Sequence, residues 1–140
     1  MASFDLDRFV AAQAGVYAQA LAELEAGRKQ SHWMWFVFPQ IAGLGASPMA
    51  RFYAIASGEE ARAYLLHPLL GPRLRECTET MLGHRGRSAE AILGPVDAIK
   101  LRSSMTLFEA VAGRQDLFAR ALDAFYKGER DARTLELLQA

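Results

Sequence analysis

Two stretches of the chain place reactive side chains inside otherwise apolar sequence. The first runs Arg28-Lys-Gln-Ser-His-Trp-Met-Trp-Phe-Val-Phe-Pro-Gln40. Aromatic walls bearing a few cationic, hydroxyl and amide groups are the composition of small-molecule pockets. With an ordinary pKa near about 6.5, an imidazole suits general acid–base work, which makes His32 the candidate catalytic residue. Lys29, Ser31, Trp33, Trp35 and Gln40 are the candidate binding groups around it. A plainer reading makes Ser31 a helix cap and the aromatics core, and on this stretch alone it is the more economical.

The second stretch is Lys100-Leu-Arg-Ser-Ser-Met-Thr-Leu-Phe108. On a helix, Lys100, Ser104 and Phe108 share one face, and Ile99, Ser103, Thr106 and Ala110 share another. Hydroxyls thus fall in line with residues expected to face the core. Serine and threonine within a helix satisfy themselves on the carbonyl four residues back. Lys100 has no such outlet and must be solvated or paired, with Asp97 within reach. Asp97, in the first turn after Pro95, is most simply a partner for the helix dipole.

Brought together, the two stretches would make a site for a polar, anionic ligand. Indoles stack on bases, while Lys100, Arg102, Ser103 and Ser104 suit a phosphate. The expected ligand is therefore a nucleotide- or phosphate-containing metabolite. Beside His32 no second catalytic group is identifiable, so a binder and an enzyme remain equally open, and no cofactor is implied.

Other chemistry finds less support. Gly43-Leu-Gly-Ala-Ser-Pro48 precedes a helix, as anion-binding turns do. Proline stands where the third glycine of a dinucleotide fingerprint belongs, and Walker A is absent. The segment reads as a turn. His32, His67 and His84 never share a helix face at metal-ligand spacing, so no metal is expected. Cys77 lies on an apolar stripe and reads as a buried, inert thiol.

These residues need elements to hold them, and the punctuation is helical. Leu6, Phe9, Val10, Tyr17, Leu21 and Leu24 repeat at helical spacing up to Gly27. Ser47-Pro48, Ser57-Gly-Glu-Glu60 and Ser88 are N-terminal caps, the second a capping box. Leu70, Leu74, Cys77 and Met81 form another stripe, and Gly83–Arg87 reads as an exposed loop. A helix from Pro95 to Gly113 carries Ile99, Leu107, Phe108 and Val111. Stretches through Phe118, Leu122 and Phe125, then Leu135 and Leu138, complete the chain. Trp33–Phe38 is apolar on all sides; lacking a second strand to pair with, it reads as a short buried helix or turn starting near Ser31. The expectation is all-α, one domain over 1–140, with seven or eight short helices.

Composition agrees. A chain of 140 residues that is 51% hydrophobic has enough apolar material for a core without staples. A single cysteine excludes an internal disulfide. The acidic N-terminus lacks the features of a secretory signal, and no apolar run is long enough to span a bilayer, so the expected location is cytoplasmic. Sixteen basic and 16 acidic residues cancel, which argues against dedicated nucleic-acid binding.

Ser31–Gln40, Gly43-Leu-Gly45, Glu60-Ala-Arg-Ala-Tyr-Leu-Leu-His-Pro68 and Lys100–Phe108 together resemble the signature of DUF1810, a family of uncharacterised small bacterial proteins. The resemblance runs from about Phe9 to Phe108. It implies a mainly helical single domain and no established activity. The label calpastatin, sometimes attached to such proteins, does not fit: calpastatin resembles a long disordered chain, whereas this one is short and aromatic-rich. A second functional class, a non-catalytic interaction module, would place a partner or a second copy on the last two helices, through Phe118, Leu122, Phe125, Leu135 and Leu138.

Overall fold

Serines and glycines at the expected places start and stop the helices. Ser47 Oγ accepts from Ala50 N–H at 3.2 Å, Ser57 from Glu60 N–H at 3.3 Å, and Ser88 from Ala91 N–H at 3.1 Å. The computed structural model describes residues 4–139, and all of its secondary structure is helical apart from one isolated bridge. Met1–Ser3, part of the acidic N-terminus, lie outside the described residues.

In chain order the helices are α1 (Asp7–Gln13), α2 (Tyr17–Glu25), α3 (Met34–Val37), α4 (Pro48–Phe52) and α5 (Gly58–Leu66). They continue as α6 (Leu70–Leu82), α7 (Ala89–Leu93), α8 (Pro95–Ala112), α9 (Leu117–Tyr126) and α10 (Ala132–Gln139). The all-α expectation holds. The count exceeds seven or eight: ten helices lie among the described residues, seven of them with at least seven residues. One cause is Gly15, whose φ of +76° splits the expected first helix into α1 and α2.

The Trp33–Phe38 run does form a buried helical turn, but it begins at Met34, with Trp33 rather than Ser31 at the cap position. The chain after it is pinned by a single parallel bridge. Ala42 N–H donates to Ile55 O, and Ile55 N–H to Gln40 O, both at 2.8 Å.

Helix α8 sits at the centre, packed by α5, α7, α9 and α10. Leu101, Met105, Leu107 and Phe108 on it are buried. An aromatic chain crosses the core, from Phe9 to Tyr64 (centroids 5.1 Å apart), to Phe108 (5.5 Å) and to Phe118 (5.8 Å). Ile99 departs from expectation. It is 68% exposed although Ala98 and Leu101 in the same turn are buried, because its face of α8 borders a surface cavity rather than a packed helix. Phe118 and Leu122, offered above as a docking face, are fully buried in the core, and of the five named residues only Leu135 is exposed. Cys77 is buried, and burial pushes its thiol up to about 12, the range of an inert thiol.

Candidate functional site

The site begins where α8 begins. Gly94 has φ +88°, a conformation costly for any other residue, and hands the chain to Pro95 at the first helical position. The helix therefore starts abruptly, with Asp97 in its first turn and Lys100 three residues on. First-turn N–H groups of a helix have no intrahelical acceptor, so this end is locally positive.

Opposite lies the chain leaving α2. Gly27 turns it at φ +71°, and the loop expected to be exposed at 83–87 clamps it from outside. Arg87 Nη1 donates to Gly27 O at 2.9 Å, and His84 Nε2 lies 2.9 Å from Leu24 O. Lys29 N–H then donates to Ile92 O at 2.8 Å, tying this chain to α7. Lys29 Nζ thereby reaches Asp97 Oδ2 at 2.8 Å and Ser31 O at 2.6 Å, and lies 5.0 Å from the centre of the Trp33 ring.

Glu23 holds this arrangement from behind. It is buried, and its carboxylate accepts from Gln19 Nε2, Gln30 N–H, Ser31 N–H, Ser31 Oγ and Trp33 Nε1, all between 2.6 and 2.9 Å. Burial alone would raise its pKa, but these donors outweigh burial and hold the carboxyl well below the usual range. Glu23 is thus an ionised anchor that shapes residues 30–33.

In front of this anchor lies a cleft of two adjoining cavities that share Trp35, Val96 and Lys100. The smaller, about 290 Å³, is lined by Lys29, His32, Trp35, Gly94, Asp97 and Lys100, among others. The larger, about 400 Å³, adds Gln40, Leu44, Ala50, Ile99, Ser103 and Asp131. Lys100 stands on the shared wall, its Nζ 4.7 Å from the centre of the Trp35 ring. It lies 3.6 Å from Asp97 Oδ1, too far for a hydrogen bond. On the far wall, Asp131 Oδ2 accepts from Thr134 N–H at 3.0 Å and Ser103 Oγ at 3.3 Å, capping α10.

The two stretches picked out in the sequence therefore meet at this cleft. Lys29, His32, Trp35, Gln40, Lys100 and Ser103 line it. Ser31 and Trp33 stand behind the wall, both bound to Glu23. Arg102 points elsewhere and donates to Glu129 O at 3.0 Å and Arg130 O at 2.9 Å, bracing the turn into α10. Ser104 is fully buried, and its hydroxyl has no hydrogen-bond partner among the described residues. Sequence reasoning missed Glu23, Leu44, Ala50, Val96 and Asp131. An acidic residue one place before Leu24, on the edge of an apolar stripe, was the signal available for Glu23. Among the described residues no group of three or more His, Cys, Asp and Glu side chains is placed to hold a metal ion.

The chain belongs to DUF1810, a family of proteins of unknown function, whose family model matches residues 3–138. It is similar to the crystal structure of the conserved hypothetical protein Rv1873 from Mycobacterium tuberculosis. That similarity is 55% identity over 98% of each chain, with a TM-score of 0.95. No curated protein matches the chain.

Proposed function

We propose, for this member of a family without an assigned activity, that the cleft between α3 and the start of α8 binds a small, polar, phosphate-containing metabolite. The observation that carries this reading is Lys100. Lys29 is consumed by Asp97, Ser31 O and the Trp33 ring, with only 7% of its side chain exposed. Lys100 has one loose carboxylate, Asp97 Oδ1 at 3.6 Å, beyond hydrogen-bond reach, and presents its ammonium donors on the wall shared by both cavities. An anion placed there gains a charge-assisted hydrogen bond, and the positive end of α8 lies beside it.

His32, exposed on the rim of the smaller cavity, is the group a proton-transfer step would use. A thermal-shift panel of inorganic phosphate, sugar phosphates and nucleotides tests the binding reading. A ligand at about a hundred times its dissociation constant adds about 2.7 kcal/mol of stability. The expected result is a shift with at least one phosphate compound that Lys100→Met abolishes. A flat panel on a folded protein would sink the reading in favour of an interaction module. Turnover of a bound compound, lost in His32→Ala with binding retained, would make the protein an enzyme.

A further inference from the structure

We infer that the ligand is a nucleoside monophosphate, with its phosphate at Lys100 beside the start of α8 and its base in the larger cavity; this deepens, and rests on, the anion-binding reading above. Charge sets the size of the anion. Two ammonium groups, Lys29 and Lys100, face the smaller cavity against one carboxylate, Asp97, which leaves a single net positive charge. Only Lys100 of the two is loosely held. One phosphoryl group, at about −1.5 to −2 near neutrality, already uses up that charge together with the positive end of α8, and a di- or triphosphate would add further negative charge against Asp97.

The larger cavity sets the other half of the ligand. Leu44 and Ala50 on one side and Val96 and Ile99 on α8 give it apolar walls, and Trp35 closes it toward Lys100. Val96 and Ile99 are 65% and 68% exposed, so they add little to the core and much to this cavity. Gln40, Ser103 and Asp131 set polar atoms into the same walls. Ser103 and Asp131 are bonded to each other, but the Gln40 side chain makes no hydrogen bond among the described residues; an acyl chain would cover that amide without a partner, a cost that a base with donors and acceptors on its edge avoids. A bare sugar phosphate would leave the apolar walls uncovered. The two volumes, about 290 and 400 Å³, sit at the low end of ligand pockets and suit one nucleotide rather than a dinucleotide.

Calorimetric titration of the full chain tests this, using inorganic phosphate, ribose 5-phosphate, four nucleosides and four nucleoside 5′-monophosphates. At least one monophosphate is expected to bind about tenfold tighter than both its nucleoside and ribose 5-phosphate; the second margin is within what stacking one base contributes, the first within what a charge-assisted hydrogen bond to the phosphate contributes. Lys100→Met should erase the margin over the nucleoside. Ala50→Phe, which fills the larger cavity, should erase the margin over ribose 5-phosphate and leave ribose 5-phosphate binding intact. If Ala50→Phe unfolds the protein, Ile99→Ser at an exposed position should reduce the same margin. Ribose 5-phosphate or phosphate binding as tightly as every monophosphate would overturn the nucleotide assignment and leave the anion reading standing. Nucleosides binding as tightly as monophosphates would overturn the phosphate placement. Silence from all the anions would overturn both readings.

Discussion

The wall behind the cleft and the face of the cleft are made from the same residue types, yet their polar groups are in opposite conditions. Behind the wall, Glu23 is saturated by five donors, and Lys29, at the edge of the smaller cavity, is held back into that wall by Asp97, a carbonyl and an indole face. On the face, Lys100 has only a loose carboxylate at 3.6 Å and the Trp35 ring. A polar group with all its bonds made inside the chain supports structure. One with bonds to spare beside a cavity is available to a ligand. The difference teaches that residue type does not separate the two roles, since each region has its lysine and its tryptophan. Saturation does.

The sharpest way to break that comparison is to remove Glu23. Glu23→Leu strands buried donors on Ser31 and Trp33, and should cost about 3–5 kcal/mol in urea unfolding, in the range for breaking a buried charged network. A loss under about 1 kcal/mol would mean the network is not the support described here. The pH dependence follows from the same carboxylate. Its pKa is depressed in the folded chain, so its contribution is fully present above the ordinary glutamate value of about 4.3 and is lost as pH falls below it. The stability gap between the wild-type chain and Glu23→Gln should therefore be constant near neutrality and shrink from about pH 4.3 downward. A gap independent of pH down to 3 would contradict the assignment.

The two lysines sharpen the comparison at the next scale. Lys29→Met removes the close partner of Asp97 and should cost about 2–3 kcal/mol, since Lys100 can compensate only in part. Lys100→Met should cost under about 1 kcal/mol, as a partly exposed, loosely paired charge does, while removing phosphate binding. Equal destabilisation by both would erase the distinction between wall and face. So would phosphate binding that survives Lys100→Met.

Much of the scaffold was legible because local physics writes it. Ser47, Ser57 and Ser88 cap helices wherever the chain places them, and Pro95 and Gly113 bracket α8 by their own backbone preferences. Leu70, Leu74, Cys77 and Met81 reach the core because their spacing gives them one face. The site was legible only as two suspicious stretches, because their meeting depends on contacts that spacing does not encode. Ser31 illustrates the gap. Its type suggested a cap, but a glutamate eight residues earlier in the chain captured its hydroxyl, its own N–H and the N–H of Gln30. Ile99 fails the other way: its periodicity is that of a core residue, and only the arrangement of neighbouring helices leaves it facing the cleft.

The smallest effect is expected within α8, where adjacent serines extend the contrast to a single pair. Ser103 Oγ donates to Asp131 and lies 3.3 Å from Ile99 O, so its hydroxyl links α8 to the cap of α10 at the cleft wall. Ser104 Oγ is buried with no partner among the described residues, and it carries the desolvation cost of a hydroxyl without a compensating bond. Ser103→Ala should cost about 1 kcal/mol, the usual net value of a hydrogen bond. Ser104→Ala removes a penalty and raises helix propensity, so it should be neutral or stabilise by up to about 1 kcal/mol. Paired urea melts check both. A destabilisation by Ser104→Ala as large as that by Ser103→Ala would mean that Ser104 has a partner in solution. That partner, buried on the helix that carries Lys100, would then belong among the groups that support the cleft.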